Sequence, residues 1–201
     1  MWERFTGAAR SVVRGAVAHA DRAGSRTVGE PELLLALLDR RDTPAAAVLD
    51  GLGAPRTALA ADLAADRRRG GVSAADAAAL AGLGIDVDAV VARVEDAHGV
   101  GALAGGPTDG GRRAGRRAWT RHRFAPDARA ALERALRIAA GRGERHIGDE
   151  HLLLALTVRS GPAGSVLAGH GVTHDAVVRV LGDASGGPDE ELAFDHARIT
   201  I

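Results

Sequence analysis

Acidic residues mark two matching places in this chain. Glu30 and Glu32 flank Pro31, and Asp149 precedes Glu150, each set falling at the first turn of a predicted helix. A carboxylate there complements the partial positive charge of a helix start. The histidines offer less. His170 and His174 are four apart, but Gly171 separates them across a predicted helix boundary; His146 and His151 straddle a predicted cap and lack the His-Glu-x-x-His spacing. No metal site is expected. Cysteine is absent, which removes disulfides, thiolate ligands and a thiol nucleophile. Lysine is absent too, so a Walker A loop cannot form and the glycines between 105 and 115 are no nucleotide cradle. With no Gly-x-Ser-x-Gly elbow and no carboxylate pair standing out from the solvated faces, neither enzymatic chemistry nor a cofactor is expected.

A second cluster carries charge of the other sign. Arg112, Arg113, Arg116, Arg117, Arg121 and Arg123 surround Trp119. Such a stretch can grip nucleic acid by phosphate contacts and stacking, which is the alternative function to be weighed. The chain balances 26 basic against 26 acidic residues, so no global field favours a polyanion, and a solvated linker is the preferred reading.

The elements that must position these groups follow from an internal repeat. An offset of 119 residues lays Phe5 on Phe124, Ala9-Arg10 on Ala128-Arg129, Ala20 on Ala139 and Val28-Gly29 on Ile147-Gly148. Leu33–Leu37 then lies on Leu152–Leu156 and, after a one-residue gap, Pro44 and Gly53 lie on Pro162 and Gly171. Two copies of one unit is the economical account. Hydrophobic residues make up 46% of the chain, chiefly Ala, Leu and Val, and aromatics only 2%, which predicts an all-α fold with close helix contacts. Val12, Val13, Ala16, Val17 and Ala20 recur at helical spacing, as do Ala128, Ala131, Leu132, Ala135 and Leu136. Thr6 and Asp149 are cap candidates, Pro31, Pro44 and Pro126 suit first helical positions, and Gly24, Gly53, Gly143 and Gly171 mark stops. Helices are predicted near 6–22, 30–40, 44–51 and 55–68, and again near 125–141, 149–158, 162–169 and 173–182.

The organisation expected is therefore a repeat over 1–70, an inserted pair of short helices within 71–104 broken at Gly82-Leu83-Gly84, a flexible Gly/Arg-rich linker over 105–123, a second repeat over 124–182 and a tail over 183–201, whose end is a short strand or unordered. No apolar run approaches the ~18 residues of a membrane span, and Met1-Trp2-Glu3-Arg4 opens directly into a polar helix pattern, so a cytoplasmic protein is expected.

Met1-Trp2-Glu3-Arg4-Phe5-Thr6 is similar to the opening of the Clp N-terminal (Clp R) repeat of ClpC- and ClpA-type unfoldases. Val28–Leu37 and His146–Leu156 resemble its Ile-Gly-Thr-Glu-His-Ile-Leu-Leu-Gly-Leu string. The resemblance implies a pseudo-twofold bundle of two four-helix repeats that sits ahead of the ATPase rings and receives substrates or adaptors. In the ClpC branch it implies recognition of phosphoarginine, with the Glu of Gly-Thr-Glu-His on the guanidinium and groups near Phe-Thr on the phosphate. Glu150 matches that Glu in the second copy; Pro31, between Glu30 and Glu32, takes the place in the first. Thr6 matches the threonine in the first copy and Ala125 replaces it in the second, so neither copy holds the full set. Trp2 and Phe124 stand where the family presents apolar anchors, also used by cyclic-peptide antibiotics. The peptide- or phosphoarginine-binding residues expected are thus Trp2, Phe5, Thr6, Glu30, Glu32, Phe124, Asp149 and Glu150. The chain ends where an unfoldase of the family begins its first ATPase module, and the expected partners are Clp unfoldase or protease subunits, adaptors or substrates, with nucleic acid disfavoured and no membrane.

Overall fold

The computed structural model describes residues 2–104, 122–158 and 161–185. After a single 3-10 turn, Trp2–Arg4, the first copy folds as α1 (Gly7–Arg22), α2 (Glu30–Leu38), α3 (Pro44–Gly51) and α4 (Arg56–Arg68). The insert forms α5 (Ala74–Gly82) and α6 (Val87–His98), and the second copy forms α7 (Pro126–Gly141), α8 (Asp149–Thr157), α9 (Pro162–Gly169) and α10 (His174–Ser185). Thr6 caps α1, its hydroxyl accepting from the Ala9 amide at 3.2 Å, and Thr43 does the same for α3. Pro44, Pro126 and Pro162 begin their helices, where a missing N–H costs nothing. Asp149 does not cap α8 as expected. It is the first helical residue, and Gly148 is the cap.

The core is built around α2 and α8, which are apolar on nearly every side. Leu33, Leu34, Ala36, Leu37 and Leu38 are buried in one, and Leu152 to Leu156 in the other. α1 covers α2 with Val12, Ala16 and Ala20, and α7 covers α8 with Ala128, Ala131, Ala135 and Ala139. Gly15 permits the closer of these approaches, since a Cβ there would stand 3.0 Å from the Ala36 methyl. At the equivalent place in the second copy, Arg134 instead donates to the Ala155 carbonyl at 3.1 Å. Arg56 opens α4 from a buried position, donating to the carbonyls of Leu38, Arg40 and Ala46 and pairing with Asp50 at 2.8 Å. Those contacts tie together the ends of α2 and α3.

The two copies exchange backbone. β1 (Thr27–Val28) and β2 (Arg123–Phe124) form a parallel pair, with Val28 beside Phe124. The twofold-related positions, Phe5 and Ile147, form a parallel bridge of their own. The Thr6 amide donates to the Ile147 carbonyl at 3.0 Å and the Ala125 amide to the Val28 carbonyl at 2.9 Å, one bond being the image of the other under the repeat. These strands were absent from the sequence reading because two residues carry no periodicity. Lower down, His170 at the end of α9 meets Asp62 of α4 at 2.7 Å.

The insert is held through α6 and the turn that follows it. No residue of α5 is buried, whereas α6 sets Val91 and Glu95 against α4. Arg68 grips Glu95 through Nε at 3.0 Å and Nη2 at 2.5 Å, and the Gly101 amide donates to the same carboxylate at 2.9 Å. These donors hold the Glu95 carboxyl far below the usual carboxylate range, at about 2. Among the described residues no single helix is long and apolar enough to cross a membrane.

Candidate peptide-binding surface

The backbone exchange decides which helix starts become neighbours. The Phe5–Ile147 bridge sets the first turn of α1 beside the first turn of α8, so Thr6 of the first copy and Glu150 of the second share one end of the bundle. The Val28–Phe124 pair sets α7 beside α2, joining Ala125 to Pro31. Asp127 on the first turn of α7 confirms this neighbourhood, its Oδ2 accepting from the Glu30 amide at 3.3 Å. Each copy in sequence holds half of the Thr–Glu pair. The fold gathers both halves into one site and leaves the other with neither.

At the Thr6–Glu150 site the side chains form a compact polar group. His151 is fully buried at the third position of α8, and its Nδ1 accepts from the Gly148 amide at 3.0 Å. Glu150 Oε1 lies 3.0 Å from the same Nδ1, and Glu144 Oε1 lies 3.3 Å from Nε2. Burial opposes the ionisation of Glu150, but the His151 hydrogen bond and charge outweigh it, so the carboxyl sits below its ordinary range. Burial likewise opposes protonation of His151; the hydrogen bond and charge of Glu150, with Glu144 behind them, prevail and raise its pKa. A Cβ on Gly148 would displace the Glu150 carboxylate from its present place. Glu144, Glu150 and His151 lie close enough to suggest a metal cluster, but the carboxylates face opposite nitrogens of one ring and the Gly148 amide occupies Nδ1.

The remaining expected site residues divide by burial. Phe5 belongs to the core, and Phe124 is half-buried against it. Trp2 lies in the 3-10 turn, its side chain outside the described part. Glu30 and Asp149 are buried, each sent across the twofold to the other copy's third helix. A Cβ on Gly161 at the start of α9 would strike the Glu30 carboxylate, while Asp149 faces Thr43 at the start of α3. Burial pushes the Asp149 carboxyl up. These two acids therefore serve helix starts inside the molecule and have no surface to offer a peptide. Glu32 is also buried. It accepts from the Gly29 amide at 2.8 Å and pairs with Arg67 at 2.8 Å. Arg112, Arg113, Arg116, Arg117, Trp119 and Arg121 lie outside the described residues; Arg123 is exposed on β2.

Beside the Pro31 site the surface opens into a cavity of about 210 Å³ lined by Pro31, Leu63, Arg67, Leu103, Ala104 and Pro162, among others. Nothing in the sequence singled out Arg67 or Leu103, because they come from the end of α4 and the turn after α6 and meet only in the fold.

Residues 123–193 match the family described as the Clp repeat (R) N-terminal domain. That stretch is similar to a Clp repeat. The matched stretch is the second copy; the first is tied to it by the 119-residue offset and the reciprocal strand pairing. Among solved structures, this Clp repeat fold is similar to one from a malarial protein secretion system, at 13% identity and a TM-score of 0.57, over 90% of this chain and 94% of that one. It is also similar to the N-terminal domain of the caseinolytic protease associated chaperone ClpD from Arabidopsis thaliana, at 20% identity and a TM-score of 0.50, over 90% and 97%. At these identities the likeness is one of fold. No curated protein matches the chain.

Proposed function

We propose that this chain is a non-catalytic protein-binding module of the Clp unfoldase–protease system, taking substrates, adaptors or peptide ligands at its helix starts. The observation that carries this reading is the crossed assembly of the Thr6–Glu150 site. A carboxylate held ionised by His151, its side chain only 15% exposed, stands beside the capped start of α1. A carboxylate suits a guanidinium, and a helix start with its threonine suits an anion. Phosphoarginine joins those two charges in one side chain, so this end of the bundle is the place for it. Phe124, half-buried beside the Pro31 site, and Trp2 are the apolar anchors proposed, and the partners are Clp unfoldase or protease subunits, their adaptors or their substrates. The setting proposed is the cytoplasm.

Two measurements test the reading. Immobilised full-length chain should retain Clp unfoldase, Clp protease or their adaptors from lysate of the source cells; recovery of none overturns the assignment. Calorimetry with a phosphoarginine peptide should give heat that Glu150→Ala and Thr6→Ala each reduce at least tenfold in affinity, the loss of a charge-assisted bond. Equal heats from both variants and the parent chain remove phosphoarginine while leaving partner capture standing.

A further inference from the structure

The twofold mate of the Thr6–Glu150 site has lost both polar residues, with Pro31 and Ala125 in their places. What stands there instead is the cavity of about 210 Å³ between α2, α4, α9 and the turn after α6. Pro31, Leu63, Leu103, Ala104 and Pro162 give it walls of carbon. Its charged neighbours are spent on one another: Arg67 pairs with Glu32 at 2.8 Å and Arg69 with Asp66 at 2.7 Å. A charged ligand group would have to compete with these pairs, whose acids are buried. The size excludes a second possibility. Pockets for drug-sized ligands run to about 300–1,000 Å³, so this one suits a single side chain.

Two further features fit an extended peptide. Leu103 is 38% exposed on the cavity wall, whereas Leu63 beside it is buried, so apolar surface is left waiting at the mouth. Arg67 engages Glu32 through Nη2 and is about one-third exposed, which leaves other guanidinium N–H groups for a peptide carbonyl.

We propose that this cavity takes one uncharged apolar side chain, of leucine, methionine or phenylalanine size, from an unmodified peptide, with Arg67 donating to a carbonyl beside it. The proposal deepens the protein-binding reading above and rests on it. The two ends of the bundle then read different chemistry, a phosphorylated cation at one and a neutral hydrocarbon at the other.

Methyl-labelled full-length chain titrated with acetyl-Ala-Leu-Ala-amide tests this. Saturable shifts of the Leu63 and Leu103 methyls are expected in the millimolar range, with acetyl-Ala-Ala-Ala-amide weaker by roughly tenfold or more and acetyl-Ala-Glu-Ala-amide inactive. Leu103→Glu, a change at a partly exposed position, should abolish the shifts with the far-ultraviolet spectrum unchanged. Absence of saturation with the leucine peptide, equal response to the alanine or glutamate peptide, or undiminished binding in the variant overturns the proposal. The same variant enters the lysate capture experiment separately. A parent chain that retains Clp components but ignores the leucine peptide sinks the cavity alone, whereas one that binds the peptide and retains no Clp component sinks the wider reading.

Discussion

At the start of α8 the neutral His151 ring accepts the Gly148 amide at Nδ1, and protonation turns that nitrogen into a donor for Glu150, 3.0 Å away. The folded His151 has its pKa raised above 6.5 and Glu150 has its own lowered below 4.5. A raised base contributes stability below its unfolded pKa and loses it as pH rises through the folded value; a lowered acid contributes above its unfolded pKa and loses it as pH falls. The pair is therefore worth most between those ordinary values. The difference in urea midpoint between parent and His151→Gln should shrink as pH rises above the ordinary histidine value of 6.5; a flat difference would contradict the pairing. Glu150 was visible in the sequence as the match to a family glutamate. The burial of Glu30 and Asp149 was not, because each is covered by a third helix belonging to the other copy, a long-range contact that no local pattern encodes.

Helices were legible because their signals are local. The alanine and valine stripe of α1, the proline starts of α3, α7 and α9 and the glycine stops place these helices within two residues of the sequence expectation. The break between α5 and α6 falls at Gly82–Gly84, where Gly84 takes a positive φ of 81° that other residues avoid. What the pattern did not reveal is how lightly the insert is attached. α6 is fastened chiefly by Glu95, so Glu95→Gln, which keeps the shape and removes the charge, should speed amide exchange across α5 and α6 at least tenfold while α2 and α8 keep their protection. Uniform loss of protection would show that the insert is part of the core instead. Because the Glu95 carboxyl is held at about 2, its contribution persists above the usual glutamate pKa and disappears only as pH falls through that value.

For the molecule as a whole, the two copies meet in the core, not edge to edge. α2 packs on α9, α3 packs on α8, and both strand pairs join first copy to second. A protease site placed within residues 105–121 and then cleaved should leave two fragments that travel together on a sizing column and melt in a concentration-dependent way. Fragments that separate under native conditions, each still fully helical, would mean independent domains. The duplication could be read from the sequence, but the crossing could not, since an offset gives equivalence and says nothing of which half touches which. That crossing sets the valency of the molecule. Because the first-copy threonine and the second-copy glutamate are spent on one site, a scaffold built twice presents that pair once. On the proposed phosphoarginine reading, a substrate carrying two marks gains no chelation on a single chain, and must recruit a second molecule to use them both.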